Sequence, residues 1–253
     1  MILLMHFYGS NRLKLNDEKT QIMLLKGKFK KSVSIIAEDG TVVWNVAQIK
    51  VLGIYLNPKN NFSSNIARAR SNAFLRLNEL KPLLENVPSI PNRRIIVSSS
   101  VISILRYCAS LYCGQNNEII DKFHTSIMRC YRVIYNQSTY KTRCEKICLA
   151  IKMPMPRELV VKDASNFIHR LLLDRRPVQL HNLLRFPNRE TRITVPQIRD
   201  RPNTERSRRG SFNVMLKNYS TINATIRGLS KEAFRSIISR SNFNILPIED
   251  QRN

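Results

Sequence analysis

Two groups of side chains in this 253-residue chain have the types and spacing to do chemistry. The first is Cys108, Cys113, His124 and Cys130, soft or borderline ligands of the kind that hold zinc. Structural zinc sites use tight cysteine knuckles on turns, whereas these residues are widely spaced and fall inside helical patterns, on or near apolar faces. Buried free thiols account for them better. Cys144 and Cys148 share a helix face at i,i+4 without a matching second pair, and His6, His124, His169 and His181 form no triad with a nucleophile. The second group is cationic: Arg68, Arg70, Arg76, Arg93 and Arg94. Contacts to a phosphate backbone need only charge and reach. A solvated helix face usually mixes its charges, yet Glu79 and Glu85 are the only acids between residues 63 and 94. That imbalance favours nucleic-acid contact.

The rest of the chain agrees with the second group. Forty-two Lys and Arg against 18 Asp and Glu give a net charge of +24 and a pI near 10.4, an excess that calls for a polyanion, most often nucleic acid. An anionic membrane usually selects a basic amphipathic helix or a lipid anchor, and neither stands out. The apolar fraction of 43% suits a globular protein. The apolar start, Met1 to Tyr8, is too short for a signal peptide and lacks a basic leader. The longest apolar run, Ile95 to Cys113, holds five serines and Arg106, so it reads as a buried helix and not a membrane span. Five cysteines, an odd number, read as free thiols in a reducing compartment. The expected location is intracellular, nucleus or cytoplasm, without secretion.

The elements that must position these arginines follow in order. Residues 1–12 read as the tail of an element that begins upstream. Leu13 to Thr20 leads into the apolar run Ile22 to Leu25 and a basic patch of Lys26, Lys28, Lys30 and Lys31. Val33 and Ile35 on one side of Asp39-Gly40, and Val42 to Val46 on the other, predict an antiparallel hairpin. Ile49 to Leu56 predicts a third strand with Gly53 in its middle, and Ser63 and Ser64 are placed to cap a helix whose apolar side carries Ile66, Ala73, Leu77, Leu80 and Leu84. Further helices are expected from Pro91 to Tyr112, Glu118 to Tyr135, Tyr140 to Ile151, Arg157 to Leu173 and Ser230 to Ser239. Between Arg185 and Arg209 eight arginines and three prolines with little periodicity read as a basic linker, either plain connection or an arm that orders on RNA.

Two motifs carry a resemblance. Leu13, Leu15, Asn16, Lys19 and Thr20, followed by the apolar run, and then Val51-Leu52-Gly53-Ile54-Tyr55-Leu56, are together similar to reverse transcriptases of non-LTR retrotransposons just after their catalytic aspartates. Phe62 to Ile66, Ala73 to Leu80, and Ser100 to Tyr107 look similar to the family's thumb helices. Tyr219, Asn223, Ile226-Arg227 and Phe234 echo a later block. The resemblance implies that Lys19 sits near the incoming nucleotide's phosphates and that Gly53 belongs to the primer grip. It implies a departure too. No Asp-Asp pair occurs in the chain, so the metal-binding aspartates would lie upstream of Met1.

The expectation is therefore an α+β chain, with a small antiparallel β unit followed by a mainly helical, thumb-like region. Residues 1–60 form the end of a palm with a primer-grip-like hairpin, 61–184 the helical region, 185–211 the basic linker and 212–253 a small helical extension. The expected function is binding of RNA, DNA or an RNA–DNA hybrid through Lys19, Gly53, Arg68, Arg70, Arg76, Arg93 and Arg94. Catalytic residues and bound metals are not expected in this chain, Mg2+ being needed only by a complete polymerase, and the chain is expected to be inactive alone. A stand-alone basic RNA-binding or scaffold protein without polymerase ancestry is the alternative.

Overall fold

Branched side chains crowd a helix but fit a pleated ribbon, and they set the first strand pair. In the computed structural model, which describes residues 20–24, 34–36, 42–59, 61–136, 142–185, 197–198 and 211–240, β1 (Ser34–Ile36) runs antiparallel to β2 (Val42–Trp44). Ile35 faces Val43 across the pair. β2 buries Val43 and exposes Val42 and Trp44, the alternation of a half-covered strand. Just beyond, the Val46 amide donates to the Ile22 carbonyl at 2.8 Å, and Asn45 Oδ1 accepts from the Leu24 amide at 3.0 Å. The turn at 38–41, the Lys26–Lys31 patch and the Leu13–Lys19 motif lie outside the described residues.

The stretch expected as one strand is instead a hairpin. β3 (Ile49–Val51) pairs with β4 (Ile54–Leu56), Lys50 opposite Tyr55 and Val51 opposite Ile54. Leu52 and Gly53 form the connection with φ of 47° and 84°. Positive φ at both central residues is the type I′ turn, whose twist matches that of the strands it joins. Gly53 adopts it without penalty; Leu52, where such turns prefer Asn or Asp, disguised it as more strand.

β4 leads to α1 (Ser63–Glu85) through a knot of asparagines. Asn57 Oδ1 accepts from the Asn61 amide at 3.0 Å, and its Nδ2 donates to the Asn61 carbonyl at 2.8 Å. Asn61 Oδ1 takes the Ser63 amide at 2.7 Å. The helix start is therefore held by Asn61, and the expected caps Ser63 and Ser64 are its first helical residues. Asn65, buried in the first turn, bonds both the amide and the carbonyl of Tyr55, at 2.7 and 2.6 Å, as a neighbouring strand would. The chain divides into two units, Met1–Asn65 and Ile66–Asn253, with the boundary inside α1.

In the second unit the apolar stripe of α1 is buried as its spacing predicts: Ile66, Ala73, Leu77, Leu80 and Leu84. α2 (Ile90–Val97) widens into a π segment (Ser98–Ile102) and closes as α3 (Ser103–Arg106). The Ser99 and Ser103 hydroxyls donate back to the carbonyls of Ile95 and Ser99, competing with the helical ladder. The expected continuous helix to Tyr112 thus ends at Arg106. Cys108 sits at φ 56°, and a 3₁₀ turn (Ala109–Tyr112) follows. α4 (Asn117–Tyr135) is capped by Asn116, whose Oδ1 accepts from the Ile119 amide, and it ends on left-handed Asn136. Its stripe of Ile119, Phe123, Ile127, Tyr131 and Ile134 is almost fully buried, each side chain contributing about 1.5–3 kcal/mol.

After α5 (Cys144–Ile151), α6 (Pro156–Asp174) begins with Pro156 in the position where a missing N–H costs nothing. It packs against α4 and the 3₁₀ turn. α7 (Val178–Asn182) leads to β5 (Leu184–Arg185), which pairs with β6 (Gln197–Ile198) inside the stretch expected to be an irregular linker. Residues 186–196 and 199–210 lie outside the described set. α8 (Ser211–Ser220), α9 (Ala224–Arg227) and α10 (Lys231–Arg240) follow, with α8 and α10 packed on α6. Among the described residues no helix is long and apolar enough to cross a membrane.

Candidate nucleic-acid interface

From Ser63 to Asn78, α1 carries Arg68, Arg70 and Arg76 and no acid. Phe74, one turn beyond Arg70, gathers two cations from different helices. The Arg70 guanidinium carbon lies 5.8 Å from its ring centre and that of Arg129, on α4, lies at 4.4 Å. An aromatic face attracts a cation, and here it fixes two of them in one place. Among the described residues neither has an acidic partner within an ion-pair distance. Arg70 Nε is buried without a hydrogen-bond partner. Arg129 is exposed, and so are Arg68 and Arg76. Arg76 meets Glu79 at 2.9 Å, an exposed pair of little net strength that a phosphate can replace.

Arg93 and Arg94 do something else. Arg93 is 7% exposed, and its guanidinium donates to the carbonyls of Val87 (2.5 Å), Pro88 (3.1 Å) and Ile134 (3.4 Å). Arg94 donates to the Ile151 carbonyl at 3.3 Å. Ile134 and Ile151 lie in the last turns of α4 and α5, where carbonyls lack helical partners and the helix end is negative. Arg93 is an internal brace, its burial at odds with the expectation that it faces phosphates, whereas half-buried Arg94 gives one donor to the Ile151 carbonyl. Of the remaining expected residues, Gly53 sits in the type I′ turn of the first unit, and Lys19 lies outside the described residues. Arg129 belongs with Arg70, which spacing along the chain gives no means of seeing.

Several other polar side chains serve packing. Arg106 grips Asp163 with two bonds, Nε to Oδ2 at 3.1 Å and Nη2 to Oδ1 at 2.5 Å, tying α3 to α6. Lys162 Nζ, buried, lies 3.8 Å from Glu158 and donates to the Ser239 carbonyl. Burial lowers the lysine's affinity for its proton and raises the carboxylate's, while their mutual attraction opposes both shifts. His169 stacks on Phe234 with ring centres 3.8 Å apart. Its Nε2 is 3.1 Å from the Leu229 carbonyl and its Nδ1 is 2.9 Å from the Tyr219 hydroxyl. A carbonyl can only accept, so Nε2 carries the proton and Nδ1 accepts from the tyrosine. Burial holds the ring's pKa below its ordinary value.

All five cysteines are free. Burial pushes the Cys113 thiol up to about 11 and those of Cys130 and Cys148 up to about 12, which keeps them protonated and unreactive. Among the described residues no three His, Cys, Asp or Glu side chains gather as a metal site would need. Comparison with family models, with curated proteins and with solved structures finds no match to this chain.

Proposed function

We propose that this chain binds nucleic acid through its backbone, as the thumb-like, nucleic-acid-gripping portion of a retrotransposon-type RNA-directed DNA polymerase, and that it does not polymerise by itself. The observation that carries the binding is the pair of guanidiniums at Phe74, where α1 and α4 bring Arg70 and Arg129 together, with Arg68 and Arg76 exposed elsewhere on α1. Among the second unit's described residues twenty-four Lys and Arg meet nine Asp and Glu, and six of those nine already hold ion pairs. Charge contacts of this kind read the backbone and not the base edges, so any sequence should bind, and the resemblance to polymerases makes the expected ligand an RNA–DNA hybrid. The polymerase reading rests on the Leu13–Thr20 and Val51–Leu56 motifs, and the missing Asp-Asp pair accounts for the inactivity.

The test is binding of the purified chain to a short RNA–DNA hybrid across a salt series, with single-stranded RNA as comparison. The expected result is preference for the hybrid and a log–log salt slope of about 0.9 for each phosphate neutralised. Reversal of Arg68, Arg70 and Arg129 to Glu should flatten that slope. Equal affinity for every polyanion, heparin included, would instead support the stand-alone basic protein and sink the polymerase reading.

A further inference from the structure

The end of α3, one face of α6 and the start of α10 enclose a groove of about 470 Å³ on the second unit. Its charges sort by whether they already have partners. Arg106 of α3 is matched by Asp163 of α6, and Lys231 by Asp174. Arg170 from α6 and Arg235 from α10 also line it, and neither has an acidic partner among the described residues. Both are exposed. Glu232 is the one lining acid outside an ion pair among them, so the groove carries an excess of positive charge. Asn166 adds an amide. His169 contributes no charge or ligand, because both its nitrogens are engaged and its ring stays neutral.

We propose that this groove is a second nucleic-acid site, one that takes a single strand by its phosphates. The inference rests on the reading of the chain as a polynucleotide binder and adds to it a separate site with a different substrate form. Three properties select that ligand. Two planar guanidinium forks from facing helices match phosphate oxygens better than a point charge does. The volume lies within the few hundred cubic ångströms of a small-ligand pocket, room for a nucleotide and too little for a duplex. The open cationic pair and the amide donor suit an anion, and the matched pairs Arg106–Asp163 and Lys231–Asp174 supply a fixed polar wall.

The experiment measures binding of a single-stranded pentanucleotide and of a short RNA–DNA hybrid to the folded full chain across salt. Its variants are R170E/R235E, R68E/R70E/R129E and, as a control for bulk charge, R143E/K146E on the exposed side of α5 and its entry. R170E/R235E should weaken the pentanucleotide at least tenfold and cut its salt slope by about 1.4, two single-strand phosphates at about 0.7 each, with hybrid affinity held within about twofold. R68E/R70E/R129E should do the reverse. The charge-neutral R170Q/R235Q should lose about half as much as the reversal, which separates lost contact from repulsion. Pentanucleotide affinity and slope unchanged in R170E/R235E, or reduced equally in R143E/K146E, would overturn the groove while leaving the hybrid result intact. Displacement by inorganic phosphate at the same concentration of phosphate groups would make it a free-phosphate site, overturning the strand assignment. Failure of the wild-type chain to bind hybrid would sink the earlier reading by itself, since the pentanucleotide is measured separately.

Discussion

Arg93 and Arg129 are both arginines on helices of the second unit, and their surroundings give them opposite tasks. Arg93 is enclosed where α1 turns into α2, with its donors on three carbonyls. Arg129 lies exposed over Phe74 with no acid beside it among the described residues. A guanidinium whose donors are satisfied by backbone can neither reach a phosphate nor be removed cheaply. One held only by an aromatic face keeps its donors for a ligand and can be removed with little harm. A net charge of +24 says nothing about this division, because it counts both kinds equally.

The sharpest way to break the comparison is to exchange the expected consequences. R93M should lower stability by about 3 kcal/mol, since it strips hydrogen bonds from the Val87, Pro88 and Ile134 carbonyls and leaves an ill-filled site. Urea unfolding would show it as a lower midpoint at unchanged slope. Nucleic-acid affinity of the fraction still folded should stay the same. R70E/R129E should move the other observable, weakening hybrid binding by roughly ten- to hundredfold, about 1.4–2.7 kcal/mol, with stability within about 0.5 kcal/mol of wild type. If R93M changed the salt slope, or R70E/R129E unfolded the chain, the division would fail.

A smaller effect separates structural from binding groups by pH. His169 is buried as the neutral ring, so the folded state resists a proton that the unfolded chain accepts. Its contribution is complete above about pH 6.5, the ordinary histidine value, and is lost as pH falls toward the lowered one. His124 titrates in the same direction, chiefly through burial and then through Arg157. The thermal midpoint should therefore fall between pH 7.5 and 5.5, and H169Q, less stable at the upper pH, should show a shallower fall. Salt-dependent binding through arginines has no such titration, so hybrid affinity at temperatures well below the melt should stay level. A steep loss of affinity near pH 6.5 in the folded chain would place a histidine at the interface.

The helical half was legible because its signals are local. The 3.6-residue stripes of α1 and α4, and Pro156 at the start of α6, mark elements through their own neighbours. The two-unit division and the pairing of residues 184–185 with 197–198 depend on contacts between distant parts of the chain, and so does the distinction between Arg93 and Arg129. The meeting of Arg70 and Arg129 on Phe74 is of the same kind: fifty-eight residues separate the two arginines, and only the folded chain brings Arg129 of α4 over a ring of α1. The groove rim is similar, for Arg170 and Arg235 stood in helices expected from periodicity, with nothing in either segment to bring them together.

The hairpin from Ile49 to Leu56 gives the smallest and most local test. Leu52 is 87% exposed and holds φ at 47°, so it has little side-chain burial to lose and carries a conformational cost of about 1 kcal/mol that Asn bears more easily. L52N should therefore raise stability by about 0.5–1 kcal/mol, whereas G53A, adding a Cβ at φ 84°, should lower it by about 1 kcal/mol. Amide hydrogen exchange of the paired Val51 and Ile54 would register both changes even if the global melt did not. The two substitutions must have opposite signs, because a single continuous strand would lose from Asn at Leu52 and tolerate Ala at Gly53. Should L52N speed exchange in the hairpin and G53A leave it unchanged, the turn would be wrong and the strand expected from sequence would stand.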